Sequence, residues 1–147
     1  MPVTTHAPNT PISWNESFSV GDATLDKHHQ HLAHLINQLG AHPQDDARSE
    51  QLVDILSALV KYAEYHFRHE EERMAEVGFE NLASHRQEHI DFCEVVAEIC
   101  FGATLGVISV KELFSYLTRW WRNHILLEDM KYKPYLSDML NLEPELS

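Results

Sequence analysis

The chain has 147 residues, of which 44% are hydrophobic and 23% are charged, a balance typical of one folded domain. Its 11 basic and 23 acidic residues give a formal net charge of −12, which disfavours binding to nucleic acid or to an anionic membrane surface. The longest stretch without a charged residue or a histidine, Ile99 to Val110, is too short to span a membrane, which takes about 20 residues. The first residues carry no basic or apolar run, so no signal peptide is expected and the predicted location is cytoplasmic.

Histidine is unusually frequent, with 11 residues, whereas cysteine occurs only twice, at Cys93 and Cys100. Two residues seven apart on one helix are separated by about 10.5 Å along its axis, and a disulfide needs Cα atoms within roughly 7 Å. The two cysteines are therefore interpreted as small apolar side chains. A metal site in this chain would have to use histidines and carboxylates.

The N-terminal part of the sequence shows no helical period. Residues 1–11 hold three prolines and are expected to form an extended or disordered arm. The chain is then predicted to pack back onto the domain through Trp14, Phe18 and Val20.

A first amphipathic helix is predicted after Gly21, because its inward positions recur every three or four residues. Gly40 and Pro43 end it. One inward position is a histidine, and both His28 and His29 keep a helical step, so periodicity alone leaves that choice open.

A second helix is predicted from about Asp46 to Val77, and Gly78 is expected to stop it in the left-handed conformation. His66 and Glu70 occupy core-facing positions of this helix, where aliphatic residues would be expected. Because positions i and i+4 share one helix face, both side chains can reach one ion or two adjacent ions.

A third helix is predicted after Asn81, with Gly102 and Gly106 marking its end. Its inward phase carries His85 and His89, again four residues apart. This pair repeats the polar spacing of the second helix.

The fourth helix is predicted to open with a capping box of Ser109 and Glu112. It carries His124 in the inward phase. Two acidic residues follow, and a straight helix would place Glu128 about 40° around from His124 but Asp129 about 140° around. Helical geometry therefore favours Glu128.

Four amphipathic helices joined by short turns predict an all-α, up-down-up-down four-helix bundle over residues 12–135. A short helix is expected in the tail, residues 136–147. Each helix places polar residues in the core. Buried polar groups are stable there only if a hydrogen-bond partner or a metal ion satisfies them. Five imidazoles and two carboxylates are enough for two metals bridged by the carboxylates.

The remaining histidines fall off these inward stripes. We expect them to lie on the solvated surface: His6, His31, His34, His42 and His69.

Five motifs follow one another over residues 12–135. They are Trp14 with Ser19-Val20-Gly21; Leu25-Asp26-Lys27-His28-His29; His66-Phe67-Arg68-His69-Glu70-Glu71; His85 with His89; and Trp120 to Tyr132, containing His124-Ile125 and Asp129. In this combination the chain resembles the hemerythrin family, and most closely its single-domain bacterial members, the bacteriohemerythrins.

The resemblance implies a centre of two non-haem iron ions. One iron would be bound by three histidines and the other by two, with two carboxylates and an oxo or hydroxo group as bridges: His85, His89 and His124; His29 and His66; Glu70 and Asp129. The family pattern selects His29, with His28 standing where glutamine is common. It also selects Asp129 over Glu128, which requires the fourth helix to overwind or bulge near its end.

By the same resemblance, the two-histidine iron keeps an open position that binds O₂, and NO, azide or peroxide would enter there too. The predicted function is reversible O₂ binding by a monomeric carrier or storage protein that is not an enzyme. Phe67, Ile125 and Trp121 would line the O₂ pocket. The family usually has leucine at the position of Trp121, so its indole is predicted to narrow or gate the pocket. The alternative is that Trp121 turns outward or only fills space.

Three other functions are alternatives to O₂ binding. Residues 85–89 match the H-x-x-E-H pattern of inverted zinc peptidases, with Glu88 as the base, but this would leave five other ligands unexplained. A di-iron oxidase or peroxidase is a stronger alternative, although a histidine-rich site favours binding O₂ over activating it. An O₂, redox or NO sensor is the third, and it would need a separate signalling partner.

Overall fold

A computed structural model describes residues 10–42 and 49–136, and the regular structure within these ranges is entirely helical. Four α-helices form the bundle: α1 (Ala23–Gly40), α2 (Glu50–Glu76), α3 (Leu82–Thr104) and α4 (Val110–Asn123). Helix α1 packs against α2 and α4, and α2 packs against α3. The predicted all-α four-helix bundle is confirmed. No helix in the described ranges combines the length and apolar character that a membrane span needs.

The helix boundaries follow capping side chains. The Asp22 carboxylate accepts hydrogen bonds from the first backbone N–H groups of α1, and the predicted Ser109–Glu112 capping box opens α4. Gly78 has a φ of +71°, so the predicted left-handed stop after α2 is also confirmed.

One predicted boundary was wrong. Helix α2 begins at Glu50 rather than near residue 46, because Ser49 caps it by accepting a hydrogen bond from the Leu52 N–H. Helix α3 ends at Thr104, between the two glycines predicted to mark its end, and Gly102 lies within its last turn. A Cβ there would lie 2.7 Å from the side chain of Ile108, so the glycine allows a close approach inside the helix, and the turn comes at Gly106, where φ is +79°.

The segment before α1 packs back onto the bundle as predicted. Phe18 and Val20 are buried and Trp14 is half-buried, with a 3₁₀ turn at Glu16–Phe18. The Asn37 side chain on α1 makes two hydrogen bonds of 2.9 Å to the backbone of Ile12, which holds the segment in place.

The tail is described only as far as residue 136. Residues 133–136 are helical, and the remainder of the predicted tail helix lies outside the described residues, as does most of the arm predicted for residues 1–11.

Two apolar clusters fill the two ends of the bundle. The larger one surrounds Leu39, Leu52 and Leu113, where α1 ends and α2 and α4 begin. The smaller one lies at the opposite end, around Leu25 and Met74. Between these clusters the core contains a layer of buried histidines and carboxylates.

Candidate metal centre

Glu70 of α2 lies fully buried at the centre of this polar layer. Its two carboxylate oxygens face different histidines. Oε1 lies 3.1 Å from Nε2 of His85 and 3.0 Å from Nε2 of His89, while Oε2 lies 3.4 Å from Nε2 of His29 and 3.3 Å from Nε2 of His66. The carboxylate therefore connects α1 and α2 on one side with α3 on the other.

Asp129 repeats this division. Its Oδ1 lies 3.0 Å from Nε2 of both His85 and His124, and its Oδ2 lies 3.1 Å from Nε2 of His29. Each carboxylate thus directs one oxygen to each of two groups of histidines. We call them the three-histidine set (His85, His89 and His124) and the two-histidine set (His29 and His66). The structure brings together all seven residues that the sequence singled out.

The helix bulge needed to turn Asp129 inward is present. Residues His124–Glu128 form a π-helical turn, which is wider than an α-turn, so residues five apart share one face. The Asp129 N–H bonds back to the carbonyl of His124 across this turn. Glu128, which a straight helix would favour, instead pairs with Lys131 at 3.0 Å on the surface. The expectation from straight-helix geometry was therefore wrong at this position.

The unpartnered polar atoms of this layer fit a metal. Among the described residues, buried side-chain atoms without a hydrogen-bond partner include both ring nitrogens of His29 and His124, Nε2 of His89 and both carboxylate oxygens of Asp129. Each such atom costs roughly 1–3 kcal/mol. Imidazole and carboxylate ligands suit divalent iron. Two clusters that share Glu70 have ligand atoms within 4.8 Å of one another, one with the three-histidine set and one with the two-histidine set.

The carboxylates also change how the histidines titrate. Burial disfavours the charged imidazole, but Asp129 and Glu70 raise the pKa of His29 and of His85 to about 9. The pKa of His124 rises to about 10 for the same reason. Burial would raise the pKa of Glu70, yet the neighbouring histidines hold it well below its usual range. In the absence of metal, protons therefore balance the buried carboxylates.

A second layer of residues holds the ligands from behind. The Tyr132 hydroxyl donates a 2.7 Å hydrogen bond to Oε2 of Glu70. Tyr132 is the last residue of the fifth sequence motif, but the motif alone predicts no role for it. The spacing of residues within one helix could not have identified this contact, because Tyr132 and Glu70 lie in different parts of the chain.

Three further contacts involve the outer ring nitrogens. His28 is buried, with its Nδ1 3.0 Å from Nδ1 of His66. Glu71 Oε2 lies 2.7 Å from Nδ1 of His89. Glu88 Oε1 lies 3.4 Å from Nδ1 of His124, an electrostatic contact rather than a well-formed hydrogen bond. Glu88 thus lies behind the centre rather than beside the His85–His89 pair as a zinc peptidase base would.

The three residues predicted to line an O₂ pocket are all buried. Trp121 is 1% exposed, so it does not turn outward, and its ring packs on Phe18 with centroids 4.8 Å apart. Phe67 stacks on the His89 ring with centroids 3.9 Å apart and planes within 7°. Ile125 lies within the π-helical turn.

The histidines expected on the surface divide into two groups. His31 and His34 are exposed, whereas His42 and His69 are half-buried, and the His69 ring lies against that of His28 with centroids 5.1 Å apart. His6 lies outside the described residues.

Comparison with known proteins places this chain in a family. The family model described as hemerythrin HHE cation binding domain matches residues 20–136. A hemerythrin-like protein from Naegleria gruberi is 31% identical over 128 residues, which cover 86% of this chain and 95% of the relative. The chain belongs to the hemerythrin family.

Other members are similarly related to this hemerythrin-family chain. A myohemerythrin from Theromyzon tessulatum is 35% identical over 84% of this chain and 92% of its own length. A bacteriohemerythrin from Stenotrophomonas maltophilia is 29% identical over 88% and 84%, respectively. The crystal structure of a wild-type hemerythrin superposes with a TM-score of 0.76 at 27% identity, covering 87% of this chain and 99% of that one. The family typically binds O₂ at a di-iron centre, and the buried histidine and glutamate cluster of this chain suits metal binding.

Proposed function

We propose that this hemerythrin-family protein binds O₂ reversibly at a centre of two non-haem irons and acts as an O₂ carrier or store. The observation that carries the proposal is the division of the carboxylate oxygens. Glu70 and Asp129 each direct one oxygen to the three-histidine set and one to the two-histidine set. A single metal would leave one of these sets unsatisfied, whereas two metals bridged by both carboxylates would satisfy every ligand.

The ligand sets are unequal, and this supports binding of a small molecule. The two-histidine set offers one nitrogen ligand fewer, so its metal would keep an open position. Two Fe(II) ions would supply the electrons on which reversible O₂ binding draws. The chain itself supplies ligand positions and exclusion of water.

Enclosure of the centre supports binding rather than turnover. All seven proposed ligands are at most 4% exposed, and apolar clusters lie on both sides of them in the bundle. A dry, closed site slows the loss of reduced oxygen species, and it leaves little room for an organic substrate. This argues for O₂ and molecules of similar size, including NO, azide and peroxide.

The decisive experiment is the visible spectrum of iron-loaded protein that is reduced anaerobically, exposed to air and then purged with inert gas. We expect a charge-transfer band that appears with O₂ and disappears on purging. His66→Ala removes one residue of the two-histidine set and should abolish the band. The matched control is His31→Ala, which removes an exposed histidine from α1 and should leave the spectrum unchanged.

A band that decays to a stable oxidised form and does not respond to purging would reject the carrier function. It would favour a redox sensor or a di-iron oxidase. We further propose that the protein acts in the cytoplasm as a monomer, and a sedimentation mass of twice 17.0 kDa would reject the monomer.

A further inference from the structure

Two of the three outer nitrogens in the three-histidine set, those of His89 and His124, face carboxylates. Nδ1 of His89 donates a 2.7 Å hydrogen bond to Glu71, whose carboxylate is held in place by Arg86 at 3.1 Å. Glu88 lies 3.4 Å from Nδ1 of His124. A carboxylate that accepts from the outer N–H of an imidazole makes the inner nitrogen a stronger base and a better metal ligand.

Within residues 10–42 and 49–136, no carboxylate supports the outer nitrogens of the two-histidine set in this way. If Nε2 of His66 binds a metal, its single proton must lie on Nδ1, which then donates to Nδ1 of His28 at 3.0 Å. His28 must accept this bond through a lone pair, so it is a neutral partner. Nδ1 of His29 has no hydrogen-bond partner among the described residues.

The hydrogen bond to the Glu70 carboxylate favours the same metal position, that of the three-histidine set. The Tyr132 hydroxyl donates its 2.7 Å hydrogen bond to Oε2 of Glu70, which is the oxygen that faces the two-histidine set. A hydrogen bond to that oxygen withdraws electron density from it. Oε1, which faces the three-histidine set, is not the acceptor of this bond.

We infer that the two metal positions load in a fixed order, with the three-histidine position first. The anionic partners Glu71 and Glu88 on one side, and the neutral partner His28 on the other, widen the difference in metal affinity between the two positions. Ligand number alone would give the three-histidine position some advantage. The outer partners add to it because they strengthen the ligands on one side only. This inference rests on the proposed two-metal centre and concerns how that centre is assembled.

Anaerobic titration of the metal-free protein with Co(II) tests the inference. Cobalt absorption reports coordination, and competition with a chelator of known affinity gives both binding constants. We expect two separate steps in the wild-type chain. Glu71→Gln should weaken the first step on the order of 10–100-fold and leave the second nearly unchanged, since second-layer partners contribute about that much to metal affinity. Glu88→Gln should have a smaller effect because its contact is longer.

Variants of His28 test the other side. His28→Gln keeps a neutral acceptor and should retain the wild-type difference between the two steps. His28→Glu provides an anionic acceptor for His66 and should strengthen the second step, bringing the two constants closer together. Glu72→Gln removes one negative charge from an exposed position next to Glu71, so it controls for the change in net charge.

The outcomes separate this inference from the proposed function. Binding of fewer than two Co(II) ions per wild-type chain would overturn both. Binding of two ions with a difference in affinity that Glu71→Gln, Glu88→Gln and His28→Glu all leave unchanged would overturn only the inference. Ligand number would then set the order alone. A first step equally weakened by Glu72→Gln would overturn it as well, since bulk charge would then explain the effect.

Discussion

The indole N–H of Trp121 donates a 3.0 Å hydrogen bond to the backbone carbonyl of His29, which lies 92 residues earlier in the chain. The same indole packs on Phe18 and contacts the edge of Trp14. Trp121 therefore connects α4, the N-terminal segment and the turn of α1 that carries His29. Its bulk closes the core on the side where we propose that O₂ binds.

Replacing Trp121 tests whether this bulk controls access. In Trp121→Leu we expect unchanged metal content but faster azide association and faster autoxidation, because the smaller side chain opens space beside His29. The free energy of unfolding should fall by roughly 2–4 kcal/mol, as for other large-to-small core substitutions. Metal analysis, stopped-flow absorbance and urea unfolding provide the three measurements.

Trp121→Phe is the matched variant, since it removes the hydrogen bond and keeps an aromatic ring. Its azide rate should lie between those of the wild-type chain and Trp121→Leu. If both variants bind azide at the wild-type rate, Trp121 fills space and does not control access.

The π-helical turn leads to a second prediction, which compares adjacent residues. Asp129→Asn replaces a buried carboxylate, which we propose bridges the two metals, with a neutral amide, and we expect the metal content to fall to one ion per chain or fewer. Glu128→Gln alters only a surface pair with Lys131 and should retain full loading. Metal analysis after loading and desalting measures both. Two tightly bound ions in Asp129→Asn would contradict the bridging role.

Tyr132 provides a third prediction, on stability. Tyr132→Phe removes the buried donor to the Glu70 carboxylate, so we expect the free energy of unfolding of the metal-free protein to fall by about 1.5–3 kcal/mol, the range for hydrogen bonds to charged groups. Tyr135→Phe removes a hydroxyl from a half-buried ring in the same region and serves as the control. Equal urea midpoints for the two variants would show that the bond contributes nothing.

Periodicity could predict the bundle and most of the centre, because each helix has to bury one face. His66 with Glu70 and His85 with His89 stand out as polar pairs within apolar stripes. The choice between Glu128 and Asp129 could not be made this way. Helical periodicity assumes a rotation of about 100° per residue. The π-helical turn at His124–Glu128 changes this rotation just before Asp129. Resemblance to a family supplied what helical geometry could not.

The second layer was beyond the reach of periodicity for a different reason. Glu71 and Glu88 point toward histidines on neighbouring helices, so their role depends on how the helices pack rather than on any spacing within one of them. His28 was an open alternative for a ligand, and its contact with His66 is visible only once α1 and α2 lie side by side.

The fourth prediction concerns the pH dependence of the metal-free protein. Despite burial, the carboxylates raise the pKa of His29 and His85 to about 9 and that of His124 to about 10. The same groups titrate near 6.5 in the unfolded chain. The folded state therefore holds protons that the unfolded state has already lost, and the stability they provide is complete below about pH 6.5 and lost as pH rises toward 10.

The carboxylates do not offset this loss in the same range. The pKa of Glu70 is lowered in the folded state, so its contribution is already complete at neutral pH and is lost only in acid. We expect the Tm of the metal-free protein to fall steadily between pH 6.5 and 10 in thermal unfolding followed by circular dichroism. The metal-loaded protein should vary much less, because the ions replace these protons and their binding releases them. A metal-free Tm that stays constant over this range would show that the buried histidines do not carry the protons that balance Glu70 and Asp129.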